Sequence, residues 1–389
     1  MAWIRSTKLE QRAYLIDQVA RRKRPQHEVC TELGIKRATA YKWLKRYHQG
    51  GIEALRDHSR RPKRQARQLD EFWLEHLRQL KTHYPSWGAK KLWIKMVQLH
   101  GATPCSIRTL SRWLERLKLV KKSPRRSYDW ITKNSQGLTM GDAPNKVWTI
   151  DFKGRFWTAD RQRVDALTIR DLYSRFGLGI RLVSTITDQA VRQECIKLFK
   201  KYGIPLIIRT DNGCPFAGQG PYGFSSLSLW WSRLGIKVEF TRLACPSDNG
   251  AHEQFHRVYK AEALTPPAAN RALQQQITDR WLEQYNQDRP HEGIGGKYPL
   301  EVYHKSQKPY RPVTISPCYP KNWIRLKVNQ RGFVRWENRT RHISRIVAGL
   351  TIGLDTINPQ QVQVYIGKIY LGSLEVEGRS AMRAAMFTM

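Results

Sequence analysis

Three acidic residues sit where the local sequence would hold a carboxylate rigidly. Asp151 ends the apolar run Val147-Trp148-Thr149-Ile150. Asp211 ends a second run, Leu206-Ile207-Ile208-Arg209-Thr210, and Asn212-Gly213 follows it at once. Glu253 opens the helical stretch Glu253-Gln254-Phe255-His256-Arg257-Val258-Tyr259-Lys260, just after Pro246-Ser247-Asp248-Asn249-Gly250. A carboxylate at a strand end points outside the sheet, where ligands bind. Two such strands and one helix can converge three carboxylates on a pair of divalent ions, an arrangement suited to cutting and joining phosphodiesters.

Other groups compete with these three or add to them. Glu253, His256, Arg257 and Lys260 fall at i, i+3, i+4 and i+7, so one helix face carries an acid and then basic groups. Cations there would grip the backbone beside a metal-bound phosphate; the bland alternative is surface Glu–Arg/Lys pairing. Glu262 is the other candidate for the third acid, nine residues beyond Glu253. Asp248 suits the turn into the helix. Asp165 and Asp171 read as structural or solvated strand acids.

Such a site must be positioned by a sizeable fold, and the chain has 389 residues, 40% of them hydrophobic. That is enough for two to four domains with real cores. The formal net charge of +36 calls for a polyanion partner, with nucleic acid ahead of a membrane surface. Residues 1–133 hold 32 lysines and arginines against 11 acids, a net +21, leaving +15 for the rest. DNA anchoring is therefore expected to begin in the N-terminal third. No long apolar span or secretory signal is evident, which predicts a soluble cytoplasmic protein, nucleoid-associated when bound to DNA. The six cysteines, at 30, 105, 195, 214, 245 and 318, form no Cys-x-x-Cys pair and read as isolated reduced thiols.

Periodicity predicts a multidomain chain. Helices over 8–22, 26–33 and 36–47 form a helix-turn-helix domain spanning 1–56, with Lys36, Arg37, Thr39 and Tyr41 placed to touch DNA. A basic linker over 57–68 carries Arg60, Arg61, Lys63 and Arg64, suited to tracking a DNA backbone. Helices over 70–83, 89–100 and 106–117 make a second helix-turn-helix-like module spanning 69–120, with Ser106 as an N-cap and Arg108, Arg112 and Arg116 on one face. Another basic linker, 121–140, carries Lys121, Lys122, Arg125 and Arg126. Three strand-like runs followed by alternating helices and strands then predict an α/β domain over 141–305. A Pro-rich linker over 306–322 leads to short strands over 323–378, read as a small β-barrel, and a tail over 379–389. Arg325, Lys327, Arg331, Arg335, Arg339 and Arg341 would give that barrel a DNA-facing charge.

The order of elements and four strings resemble the RNase H-like catalytic core of DDE transposases and retroviral integrases. Trp148-Thr149-Ile150-Asp151-Phe152 matches the first-acid strand and Arg209-Thr210-Asp211-Asn212-Gly213 the second. Pro246 through Arg257 matches the third-acid helix, and Tyr285-Asn286-Gln287-Asp288-Arg289-Pro290-His291 with Pro299 and Tyr303 looks like the stretch that closes the core. The absence of a His/Cys zinc module favours the insertion-sequence branch over the retroviral one. The spacing of 42 between Asp211 and Glu253 is longer than usual, and Gly218-Gln219-Gly220-Pro221-Tyr222-Gly223 is the expected site of the insert.

The resemblance implies Asp151, Asp211 and Glu253 as catalytic residues and as ligands of two Mg²⁺ ions, with Mn²⁺ as a substitute. It implies a transposase that binds transposon-end double-stranded DNA, cleaves there and transfers the strands to target DNA. It further implies a homomultimer assembled on DNA, with a target-selecting ATPase as a candidate partner. The alternative is a catalytically inactive DNA-binding regulator descended from such an enzyme, against which the intact triad counts. A structure-selective nuclease would explain the acids but not the tandem DNA-binding modules.

Overall fold

A computed structural model describes residues 7–57, 69–101, 105–120, 137–242, 248, 250–312, 317–358, 360–375 and 381–384. The linker residues Arg60, Arg61, Lys63, Arg64, Lys121, Lys122, Arg125 and Arg126 lie outside these, as do Pro246, Ser247 and Asn249 of the third-acid string. The chain forms two compact units, 1–70 and 71–389.

The first unit holds helices α1 (Lys8–Ala20), α2 (Gln26–Glu32) and α3 (Arg37–Gly50). Thr7 and Glu10 close a reciprocal capping box that starts α1. Leu15, Ile16, Val29, Ala40, Trp43 and Leu55 fill the centre. The Arg12 guanidinium stacks 3.8 Å from the Trp43 ring and donates to the Leu55 carbonyl at 2.7 Å.

In the second unit, α4 (Glu71–His83), α5 (Ala89–His100) and α6 (Ile107–Arg116) enclose Leu77, Trp87, Leu92, Met96, Leu110 and Leu114. Ser106 caps α6 as expected, accepting from the Thr109 amide. Next comes a mixed sheet of β1 (Val147–Trp157), β2 (Arg163–Asp171), β3 (Gly177–Val183), β4 (Ile207–Thr210) and β5 (Lys237–Phe240), in the order β3-β2-β1-β4-β5. The first three strands form an antiparallel meander, while β1, β4 and β5 run parallel.

Side-chain alternation divides this sheet into two faces. Trp148, Ile150, Leu167 and Ile169 pack with residues of α7 (Asp188–Tyr202) and α8 (Ser226–Arg233). Val164, Ala166, Ile180 and Leu182 pack with α9 (Gly250–Ala263) and α10 (Arg271–Asp288). The α10–β3 contact is close: a Cβ on Gly177 would lie 2.3 Å from Leu282. The Asn286 side chain then brackets the Gly177 backbone, accepting from its amide at 2.8 Å and donating to its carbonyl at 2.9 Å. Beyond α11 (Pro299–Val302), Tyr303 stacks on Phe176 with centroids 4.3 Å apart, and its hydroxyl donates to Asn145. The closing string is thus a clamp on the sheet.

The C-terminal region corrects one expectation: it is not a closed barrel. Strands β6 (Ile324–Lys327), β9 (Thr351–Asn358), β10 (Gln361–Ile366), β11 (Ile369–Glu375) and β12 (Arg383–Ala384) form an open sheet in the order β12-β11-β10-β9-β6. A separate hairpin pairs β7 (Phe333–Trp336) with β8 (Arg339–His342). After β6 the chain turns into this hairpin, and β12 is only two residues long, so among the described residues the sheet's edges do not pair. β8 escaped the sequence reading because Arg339-Thr340-Arg341-His342 has no apolar alternation. Arg341 is also corrected: it is fully buried, donates to the Glu375 carbonyl at 2.6 Å and lies 5.2 Å from the Trp336 ring. Arg325, Lys327, Arg331, Arg335 and Arg339 are exposed.

Candidate active site

The register of the parallel pair brings the first two acids together. The last pairs of β1 with β4 are Trp148↔Ile208 and Thr149↔Arg209. Two residues further along each strand stand Asp151 and Asp211, at the same level and on the same face. Neighbouring strands lie about 4.8 Å apart, so the carboxylates are within reach of a shared ligand. Asp211 follows the carboxyl end of β4, and Asp151 lies within β1 just past its last parallel pair with β4, while β1 continues to Trp157 against β2. Asp211 also accepts from the Gly213 amide at 3.2 Å, which orients its carboxylate at the strand exit.

Helix α9 carries Glu253, the acid expected from the sequence to be the third. Its inward residues are His252, Phe255, His256, Tyr259 and Ala263. Glu253 lies in the first turn and is exposed, one position from His252. Thr149, two residues before Asp151, hydrogen-bonds Nδ1 of His252 at 2.8 Å, so the face that carries Asp151 is the face α9 covers.

Beneath Asp151 lies a buried polar set. The Thr168 hydroxyl meets Nε2 of His252 at 2.6 Å, Nε2 of His256 at 2.7 Å and the Asp151 carbonyl at 2.9 Å. That hydroxyl has one proton. All contacts are met when it donates to the Asp151 carbonyl and accepts from both Nε2–H groups. Nδ1 of His252 then accepts from Thr149. Nδ1 of His256 keeps its lone pair, 4.0 Å from Oδ2 of Asp151. Burial is the main reason His252 titrates well below the usual histidine range, and it lowers His256 to about 3, so both rings are neutral in ordinary buffers.

These positions sort the predicted residues. Arg257 and Lys260 are exposed along α9, whereas His256 is 8% exposed and turns inward toward Asp151. The helical period explains the split, because 256 falls with 252 and 259 on the buried stripe. Glu262 is held by Arg289 at 2.7 Å and Trp281 at 2.9 Å, with Ser86 as a further donor. Asp248 is committed to the Arg242 guanidinium, at 2.7 Å, which keeps its pKa low. Asp171 accepts from the Asn145 and Ser174 amides, and Asp165 is buried beside Arg163. Among these acids, Glu253 is the one in α9's first turn that the described contacts leave uncommitted.

One residue went unread in the sequence. Lys153 stands two positions beyond Asp151 on the same strand face, and burial together with Lys260 lowers its pKa. The period-two pattern from Asp151 was the signal that could have found it.

Among the described residues, the donor atoms that gather within 4.8 Å of one another belong to Asp151, His252 and His256, and those of Asp211 and Glu253 are not among them. Carboxylate oxygens suit Mg²⁺, and the rings of His252 and His256 are neutral. The longer Asp211–Glu253 spacing is taken up largely by residues 213–225. There Ala217 bridges Phe224, Gly218 donates to the Gly223 carbonyl, and Gly220 lies against Ile346. The excursion packs on the C-terminal region and leaves β4 and α9 in place.

In unit 1, Lys36, Arg37, Thr39 and Tyr41 are all exposed at the start of α3, with Tyr41 64% exposed. Arg108, Arg112 and Arg116 are exposed on α6.

Fold and site together define an α/β core with two acids level on neighbouring parallel strands, preceded in the chain by helical modules. The integrase core domain family matches residues 141–246, and a second integrase core domain family matches 234–299. A helix-turn-helix domain matches 11–63, and a homeodomain-like domain matches 39–114. The chain is 26% identical over 186 residues to the insertion element IS407 uncharacterized 31.7 kDa protein of Burkholderia multivorans, covering 46% of this chain and 63% of that one. It is 25% identical over 201 residues to the insertion element IS476 uncharacterized 39.2 kDa protein of Xanthomonas euvesicatoria, covering 51% and 56%. The chain thus spans less than two thirds of the length of these relatives. A solved HTLV-2 integrase catalytic core domain in complex with magnesium is 18% identical, with a TM-score of 0.34, over 42% of this chain and 98% of that chain. The chain is therefore similar to insertion-element proteins and carries matches to the integrase core and helix-turn-helix families. The helix-turn-helix domains support DNA as its partner. Among the described residues, no helix is long and apolar enough to cross a membrane.

Proposed function

We propose that the chain binds the ends of a mobile element as double-stranded DNA, cleaves the strands there and joins them to target DNA. The observation that carries this reading is the shared level of Asp151 and Asp211 on adjacent parallel strands, with Glu253 in the first turn of the helix over that face. Asp151, Asp211 and Glu253 would hold Mg²⁺, two ions in all, or Mn²⁺ in its place. Ions bound there would polarise the scissile phosphate and activate the attacking oxygen.

The chain's own groups do the rest. Lys153, Arg257 and Lys260 add positive charge along the same flank of α9, suited to the phosphates on either side of the scissile one. His252 and His256, neutral and tied to Thr149 and Thr168, brace α9 against β1 and β2 and so set the height of Glu253 over Asp151. Lys36, Arg37, Thr39 and Tyr41 read or grip the end sequence through α3, and Arg108 and Arg112 do so through α6. The basic linker residues Arg60, Arg61, Lys63, Arg64, Lys121, Lys122, Arg125 and Arg126 would extend the footprint along the backbone. Assembly as a homomultimer on paired ends accords with this reading. A target-selecting ATPase gains no support from the matched families.

The test is strand transfer by the purified chain on precut end DNA in Mg²⁺, with Glu253→Gln alongside. Wild type is expected to join DNA, and the variant to bind it without joining. If both bind and neither joins across varied metals, the reading falls in favour of a DNA-binding regulator. A second expectation concerns affinity. With about six or more phosphates contacted, binding to non-cognate DNA should weaken by about a thousandfold between roughly 50 and 200 mM salt. Fluorescence anisotropy across a salt series checks this, and a flat response would rule out a broad phosphate footprint.

A further inference from the structure

Helix α9 has a second functional flank. Opposite Glu253 and Lys260, its residues Ala251, Gln254 and Val258 line a cavity of about 430 Å³. The facing wall is basic: the cations Lys91 from α5, Arg170 from the end of β2, Arg175 from the β2–β3 turn and Arg289 from the segment after α10, with the neutral ring of His291 beside them. Arg170 is 2% exposed and Arg289 5% exposed. Three acids bear on this wall, one of them Asp171, which acts on Arg170 through its charge while it accepts from the Asn145 and Ser174 amides. Glu262 is already paired with Arg289, and Glu292 is exposed and paired with Lys90 at 3.1 Å.

Some of these donors lack acceptors. One Arg170 nitrogen donates to the Ala251 carbonyl at 2.6 Å, but its Nε has no hydrogen-bond partner among the described residues. Nε2 of His291 is likewise without one. Burial, with Arg289 next, lowers Lys91 to about 8, and burial lowers His291 to about 2, with nearby Lys91, Arg170, Arg289 and Arg175 adding to the effect. A buried cluster of like charge with unmet donors costs free energy unless an anion completes it.

We propose that this cavity is a phosphate-binding site, distinct from the acidic site, in which Lys91, Arg170, Arg175 and His291 receive a phosphate group of a DNA strand. A phosphate there would bridge α5, which shares a core with α6 and its exposed Arg108 and Arg112, to α9 and the end of α10. Lys95 with Asp288 at 2.9 Å, and Ser86 with Glu262, already join these elements. The site does not depend on the acid triad.

The test uses the full chain and three probes, followed by phosphorus NMR line broadening. The probes are inorganic phosphate, a 5′-phosphorylated tetranucleotide and the same tetranucleotide ending in a 5′-hydroxyl. Lys91→Gln and Arg175→Gln are each expected to weaken binding by about tenfold, since each removes one charge-assisted donor. Lys197→Gln, an exposed cation on α7, reports the effect of net charge alone and is expected to change little. Asp151→Asn is expected to leave binding intact, so a failed acid-site reading and a failed phosphate site give different results. Preference for the 5′-phosphorylated probe would assign a terminal phosphate; equal binding of the two tetranucleotides would assign a backbone phosphodiester. If Lys91→Gln and Arg175→Gln bind every probe as wild type does, or no more weakly than Lys197→Gln, the proposal is overturned.

Discussion

Asp151→Asn is expected to abolish strand joining while leaving DNA binding within a factor of about two. Asp151 is 18% exposed in β1, just past the point where the parallel pairing of β1 with β4 stops, level with Asp211. Asparagine keeps the shape but removes the charge and one good oxygen donor. Losing several kcal/mol of charge stabilisation at the reacting phosphate corresponds to roughly a thousandfold or more in rate. The DNA-gripping groups of α3, α6 and α9 are untouched, so affinity should persist. A cysteine at this position sharpens the test, because a thiolate discriminates between metals. Asp151→Cys should be inactive in Mg²⁺ and regain part of its activity in Mn²⁺. Joining by Asp151→Asn at near wild-type rate would remove Asp151 from the site.

Glu262→Ala is expected to destabilise the chain by about 3 kcal/mol, whereas Glu253→Ala should change stability by less than about 0.5 kcal/mol. The two acids lie on one helix, nine residues apart, and sequence alone left both open as the third acid. Their surroundings differ. Glu262 accepts from Arg289 at 2.7 and 2.9 Å and from Trp281 at 2.9 Å, and Arg289 is 5% exposed. Truncating Glu262 would strand a buried guanidinium and an indole N–H. Glu253 is exposed in the first turn, so its loss strands nothing. Urea denaturation of the two variants checks the contrast. If Glu262→Ala unfolds at the wild-type midpoint, Glu262 is not the structural acid described here, and the assignment of Glu253 loses its main comparison.

Much of the helical and strand layout was legible before any coordinates. Helices α5 and α7 fall on their expected residues, Ser106 caps α6, and β1 to β5 appear in the expected order. These are local matters: a 3.6-residue or two-residue apolar period, a capping hydroxyl, a glycine stop. The closing string Tyr285–His291 was legible as a motif but not as a mechanism. Its work is the Asn286 bracket on Gly177 and the Arg289–Glu262 pair, each joining residues distant in sequence, together with the packing of His291 on Tyr285 within the string. The C-terminal strands misled in the opposite way. Alternation announced strands but could not say whether their edges would meet, and the two-residue β12 and the diverted β7–β8 hairpin leave the sheet open.

By itself the sequence determined a strongly basic charge, helical N-terminal segments and three acids that follow two apolar runs and open a helix. Composition and short-range period are enough for that. In the fold, β1 runs on past Asp151 to Trp157. The tertiary structure decided which acids stand on the same face of the sheet and which are committed elsewhere. The register Thr149↔Arg209 sets Asp151 beside Asp211, and the Arg289 pair withdraws Glu262. It turned His256 from an expected phosphate contact into a buried brace beneath Asp151, and it gathered Lys91, Arg170, Arg175 and His291 around one cavity. Strand register, the rotation of a helix about its axis and the meeting of cations from four separate segments are properties of packing, and no local pattern encodes them.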